Sequence, residues 1–220
     1  MDFKSFHTQF LLFLMLAATF STQAFAQNDD KDFTISTIDK ITLSRISGKS
    51  YKKDCPTPLD DLRYLKVLYY DFNGKISTGE LICNKSIAQD LIEIFRELYK
   101  AKYPIQRIRL VDYYNADDQL SMRDNNTSCF NYRKISGKNT ISKHGQGMAI
   151  DINPLYNPYI QLRKGKQHIE PKEGKPFADR KKTFAHKIDH NDLCYKLFIE
   201  HGFKWGGAWR YSKDYQHFEK

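Results

Sequence analysis

Two short segments of this 220-residue chain carry side chains whose types and spacing can do chemistry. The first is Ser142-Lys-His144-Gly-Gln-Gly147-Met-Ala149-Ile-Asp151-Ile-Asn153-Pro154. The second is Gly206-Gly207-Ala-Trp209-Arg-Tyr-Ser-Lys-Asp214-Tyr-Gln-His217-Phe218-Glu219. Together His144, Asp151 and His217 offer two imidazoles and one carboxylate. Three protein ligands with an open fourth position suit a catalytic Zn2+ rather than a structural one. Bound zinc lowers the pKa of water to about 7, and a nearby carboxylate, Asp214, can take the proton as water attacks a carbonyl. General-base help of this kind contributes about 10²–10⁴-fold. The plainer reading of the same residues is two satisfied histidines far apart in sequence, and spacing alone does not separate the two.

The elements around these residues must bring them together. Met148–Ile152 reads as a short strand. Met148, Ile150 and Ile152 share the face toward the core, and Ala149, Asp151 and Asn153 share the other. Gly147 and Ala149 are expected to keep that second face shallow, leaving room for an ion. His144 precedes the strand across a Gly-rich turn that can fold it back toward Asp151. Tyr215–Glu219 reads as the last strand. Asp214 would face away from His217 on a straight strand, so it is expected in the turn before it. Upstream, Tyr64–Phe72 and Lys75–Cys83 flank Asn73-Gly74, a hairpin signal in which both turn residues take positive φ. Ile87 to about Lys102 has apolar residues at helical spacing, with Ser86 and Gln89 as a capping box. Ile105–Val111 alternates like a strand. Residues 157–188 are basic and poorly patterned, which suggests a surface excursion or lid. Leu193–His201 reads as a second helix closed by Gly202. The expected class is α+β, a small antiparallel sheet with helices packed on one side.

Composition narrows the function classes. The chain is 40% hydrophobic and 28% charged, a globular balance that fits neither a disordered chain nor a polytopic membrane protein. Net charge is +9, which points to an anionic partner without choosing one. Residues 10–20 form an apolar run too short to span a bilayer, and Ala24 and Ala26 follow as a small-x-small cleavage site. Residues 1–26 therefore read as a secretory signal peptide. Export leaves no stable membrane anchor and implies a secreted, periplasmic or cell-wall-associated bacterial location. Residues 1–26 hold one Lys and one Asp, so the charge belongs to the rest of the chain. In an oxidising compartment, Cys55, Cys83, Cys129 and Cys194 allow two disulfides, with Cys55–Cys83 and Cys129–Cys194 favoured over four buried thiols. No recognised motif supports nucleic-acid binding, and a monomer is expected.

The two segments closely resemble the M15 family of zinc metallopeptidases, which includes D-Ala-D-Ala carboxypeptidases and L-alanyl-D-glutamate endopeptidases. The family pattern S-x-H-x-x-G-x-A-x-D is met at Ser142, His144, Gly147, Ala149 and Asp151. Ile152–Pro158, Trp205–Glu219, Ser121–Ser128 and Phe130–Arg133 are also similar to its carboxypeptidase-like branch. The resemblance covers about residues 85–220. Residues 27–84 remain as an N-terminal extension, with its hairpin packed on or preceding the core. The resemblance implies a single zinc-peptidase domain of the Hedgehog/DD-peptidase type. It implies His144, Asp151 and His217 as zinc ligands and Asp214 as catalytic base. An Arg, first Arg133 and second Arg123, would steady the oxyanion or grip a substrate carboxylate. Ser142 would hydrogen-bond substrate or fix its loop, and Trp209, like Trp205, would line the cleft or fill the core. Glu219 would orient a ligand imidazole. His168, His186, His190 and His201 are read as non-ligands. The implied activity is hydrolysis of peptidoglycan stem peptides, with a non-catalytic, metal-containing wall-binding module as the alternative.

Overall fold

The computed structural model describes residues 31–135 and 139–220. The expected export signal lies outside the described residues. The strands are β1 (Thr34–Thr37), β2 (Leu62–Tyr70), β3 (Ile76–Asn84), β4 (Arg107–Ile108), β5 (Asn126–Thr127), β6 (Ala149–Asp151), β7 (Tyr159–Arg163), β8 (Lys166–Glu170), β9 (Lys204–Trp205), β10 (Ser212–Asp214) and β11 (His217–Glu219). The helices are α1 (Lys40–Ile46), α2 (Ala88–Lys100), α3 (Asp118–Arg123) and α4 (Leu193–Glu200). The α+β class holds, but the strands divide among separate small sheets. Three are antiparallel and three-stranded, with orders β1-β2-β3, β10-β7-β8 and β6-β11-β9, and β4 pairs with β5 in parallel.

The β2–β3 hairpin shows why the helices do not all lie on one side. Leu65, Val67, Leu81 and Cys83 point to one face and pack against Leu91, Ile94, Phe95 and Leu98 of α2. Each fully buried side chain of this kind contributes about 1.5–3 kcal/mol. Leu62 and Ile82 point to the other face, where Ile46 of α1, Leu110 and Phe130 cover them. Both faces are buried, so one helix layer is not enough. The first face joins Ile150, Ile152 and Phe218 in the same core cluster, so the N-terminal hairpin is built into the core that carries the candidate site.

Several local expectations change. Only Gly74 in the hairpin turn is left-handed, with φ +74°. Gly74 N–H donates to Asp71 O, so Phe72 and Asn73 form an ordinary turn ahead of that glycine. Helix α2 starts at Ala88, one residue too late for the Ser86 capping box. Ser86 Oγ donates instead to Asn84 Oδ1, and Gln89 pairs with Glu93. Of Ile105–Val111 only Arg107–Ile108 is strand, because Val111–Tyr114 turns into a 3-10 helix. Residues 157–188 are not a patternless excursion: they contain the β7–β8 hairpin, which pairs with β10. Gly202 closes α4 as expected, with φ +79°. All four cysteines are free thiols. Cys55 and Cys83 sit against opposite faces of the first sheet, which keeps that pair apart. Cys129 directs its sulfur at Gly147 O, 3.8 Å away, and Cys194 is buried in the first turn of α4.

Candidate metal centre

Strands β6 and β11 run antiparallel with Asp151 opposite His217. In an antiparallel pair, directly opposed residues send their side chains to the same face. His144 arrives from the 3-10 turn His144–Gln146, which Gly147 ends with φ +70°. The expectation that Gly147 keeps the ion side shallow is corrected here. A Cβ on Gly147 would lie 2.6 Å from Asn84 N, so the missing side chain admits the end of β3 rather than an ion. The turn is pinned there, because Asn84 N–H donates to Gly147 O at 2.8 Å.

The ligand atoms of His144, Asp151 and His217 all lie within 4.8 Å of one another, and all three residues are buried. His144 Nε2 is 3.1 Å from His217 Nδ1 and 3.2 Å from Asp151 Oδ2, and His217 Nδ1 is 3.1 Å from Asp151 Oδ1. The outer nitrogens set the tautomers. His144 Nδ1–H donates to Cys129 O at 2.7 Å, and His217 Nε2–H donates to Glu219 Oε2 at 3.3 Å. As neutral imidazoles, both rings then turn an inner lone pair toward the Asp151 carboxylate. Three acceptors at this range repel unless a proton or a metal cation sits among them. Tetrahedral zinc with bonds of about 2.0–2.2 Å places its ligand atoms about 3.3 Å apart. The donor set and its spacing fit that ion, and the outer hydrogen bonds are those that orient ligating imidazoles.

Electrostatics agree with this reading. Burial works to raise the Asp151 pKa, but His144 and His217 hold it well below the usual carboxylate range. Burial works against charge on His217, yet Asp151 and Glu219 lift its pKa to about 10. Glu219 is itself held low by the His217 hydrogen bond. With no ion present the site favours a proton on His217, which a metal ion would have to displace.

Asp214 faces the same centre by a route the sequence did not suggest. It is the last residue of β10, opposite Tyr159 of β7, and the chain bends after it at Tyr215–Gln216 before entering β11 in a different sheet. The change of sheet, rather than a turn holding Asp214, lets two residues three apart face one site. Burial, reinforced by the Asp151 charge, pushes the Asp214 carboxyl up to about 7 against the pull of His217. Its Oδ1 is buried with no hydrogen-bond partner, an acceptor left open beside the ligands.

Arg133 donates from Nη1 to Ser142 Oγ at 3.1 Å and from Nη2 to Asp118 Oδ2 at 2.6 Å. Burial opposes its charge, but the carboxylates of Asp118, Asp151 and Asp214 hold the guanidinium pKa above its ordinary value. Arg123 sits elsewhere, in a groove with Gln119, His168 and Glu170 that contains none of the three ligands. Ser142 Oγ also accepts from His144 N–H at 3.3 Å, which ties Arg133 to the ligand turn. Trp209 is half-buried beside His217, ring centres 5.2 Å apart, whereas Trp205 is buried and donates to Tyr215 O. His186 stacks on Phe72, His190 packs on Trp205, and His168 and His201 pair with acids away from the centre.

Three contributors were missed from sequence. The Cys129 carbonyl orients His144, but a backbone acceptor leaves no side-chain signature. Asp118 holds Arg133 from another element, again without a local signal. Gly206 gave no signal beyond being a glycine in the second segment. A Cβ there would lie 2.7 Å from Asp214 Cβ and 3.2 Å from His217 Cβ, so its absence lets Asp214 and His217 approach.

Residues 136–220 match the family model described as D-alanyl-D-alanine carboxypeptidase, of the M15 peptidases, which supports an M15-family peptidase. The matched stretch contains His144, Asp151, Asp214, His217 and Glu219; Arg133 and Arg123 precede it. Among curated proteins and solved structures no match was found.

Proposed function

We propose, from the premise that residues 136–220 are those of an M15-type peptidase, that this protein is an exported zinc-dependent hydrolase of peptidoglycan stem peptides. Its domain is read as the Hedgehog/DD-peptidase type. The observation that carries the proposal is the meeting of three acceptor atoms from His144, Asp151 and His217 beside an unpartnered, buried Asp214 oxygen.

Zinc held by the three ligands supplies Lewis acidity toward a carbonyl and activates water. The chain's own residues do the rest. Asp214 Oδ1 takes the proton of the attacking water and returns it to the leaving amine. Burial raises its pKa above the ordinary carboxylate value, which favours accepting a proton. Arg133 keeps donors beyond the two engaged by Ser142 and Asp118, and it steadies negative charge developing on the carbonyl oxygen. Ser142 fixes that guanidinium relative to the His144 turn and keeps its own hydroxyl proton for substrate. Trp209 forms the wall beside His217.

The test is digestion of purified peptidoglycan with and without chelator, with fragments identified by mass spectrometry. Free D-Ala identifies a carboxypeptidase, and released stem peptides identify an L-Ala-D-Glu endopeptidase. If neither product appears in a chelator-sensitive way, the reading fails.

A further inference from the structure

We propose that the tip of the β7–β8 hairpin and the turn entering β10 form a reversible docking surface for an anionic lipid membrane. This surface lies outside the metal centre and does not depend on the peptidase reading.

The register sets the geometry. Asp214 lies opposite Tyr159 and Ser212 opposite Gln161. Side chains alternate along a strand, so Ile160, Leu162 and Lys213 take the sheet face opposite to Asp214. The register ends at Ser212 opposite Gln161, and the next residue along each chain is Tyr211 and Leu162. Leu162 is 68% exposed and Tyr211 82% exposed. A single exposed apolar side chain needs no explanation, but two at the same end of one small sheet form a candidate patch.

Cations surround the patch. Arg163, Lys164 and Lys166 form the hairpin tip, Lys213 lies on the Leu162 face, and the Arg210 guanidinium is 5.4 Å from the Tyr211 ring centre. Neither 159–169 nor 204–213 contains an Asp or Glu. Among the described residues none of these five cations joins an ion pair. Uncompensated basic charge seeks an anionic surface. Charge alone would equally suit a soluble polyanion, and the apolar pair decides between them. A soluble polyanion takes up the cations and leaves Leu162 and Tyr211 in water. A lipid surface takes both. Tyrosine favours the headgroup level, leucine enters the acyl boundary, and Lys and Arg stems extend their charges to the phosphates.

The test is partitioning of the full chain onto phosphatidylcholine vesicles with and without an equal part of phosphatidylglycerol. It uses wild type, the cation variant Arg163→Gln/Lys164→Gln/Lys166→Gln, and the apolar variant Leu162→Ser/Tyr211→Ser. Residues 10–20 are common to every form, so differences report on the patch. Melting curves confirm that each variant is folded. Each cation near an anionic surface contributes about fivefold, so the cation variant should lose on the order of 100-fold on anionic vesicles and little on neutral ones. The apolar variant should also bind anionic vesicles more weakly. Equal binding by all three forms overturns the proposal. So does an apolar variant that partitions like wild type while the cation variant alone fails, because that pattern identifies a general polyanion site.

Discussion

His217 and Asp151 are register partners on adjacent strands, with Nδ1 of one 3.1 Å from Oδ1 of the other. A two-strand ladder therefore supplies two ligands of the candidate centre, and only His144 must be brought in by a turn. Ladder hydrogen bonds fix the spacing of opposed residues, so these two ligands are set by backbone geometry rather than by long flexible side chains.

Chelation should lower the melting temperature as well as activity. Zinc at about a thousandfold above its Kd stabilises the folded state by about 4 kcal/mol, which corresponds to roughly 10 °C for a chain of this size. Removing His144 or His217 by substitution with Ala should abolish that shift. A calorimetric scan that responds identically to zinc in wild type and His144→Ala places the metal elsewhere.

Asp214→Asn should keep metal while hydrolysis drops about 10²–10⁴-fold. Metal content by mass spectrometry and peptide turnover are read on the same preparation. Near-normal turnover removes Asp214 from the mechanism.

Glu219→Gln should weaken metal binding about 10–100-fold, because the carboxylate that holds His217 Nε2–H is replaced by a neutral amide. Competition with a zinc indicator measures it. Unchanged affinity would show that the 3.3 Å contact does not orient the ring.

Gly206→Ala should reduce activity through Asp214 and His217 without touching a ligand directly. Its Cβ would lie 2.7 Å from both Asp214 Cβ and Asp214 O, and overpacking of this kind costs about 1–3 kcal/mol. Turnover and urea midpoint should fall together. A variant with wild-type kinetics would show that β10 can shift without consequence.

His186 should give the fold an acid-side weakness. It is stacked on Phe72 and packed against Tyr156, and burial lowers its pKa below 6.5. A histidine with a depressed folded pKa contributes stability that is present above the unfolded value near 6.5 and is lost as pH falls through the folded value. His186→Phe keeps an aromatic ring there and should flatten the urea-stability profile between pH 7 and pH 5. An unchanged profile would assign the acid sensitivity to other groups.

The meeting of His144, Asp151 and His217 within 4.8 Å is a product of the fold, whereas the three stood out as candidate ligands by residue type and by the resembling motif, both local properties. Leu91, Ile94, Phe95 and Leu98 were readable as one helix face for the same reason. The start of α2 was misplaced because Asn84 competes for the Ser86 hydroxyl. Ile105–Val111 is strand only at Arg107–Ile108, because only these two residues of it enter a ladder, with Asn126 and Thr127 of β5.

Residue identity alone sets the chemistry on offer: two imidazoles, two carboxylates, an Arg and a basic surface. Tertiary structure decided their relations. It turned Gly147 from a space-maker for an ion into a close approach to β3, and Gly206 into the clearance beside Asp214. It separated Arg133, held by Asp118 and Ser142, from Arg123, and it divided one expected sheet into several so that Asp214 and His217 could face a common point. Which strand opposes which, and which backbone atom meets a missing Cβ, depends on contacts between residues far apart in the chain. Local periodicity carries no record of them.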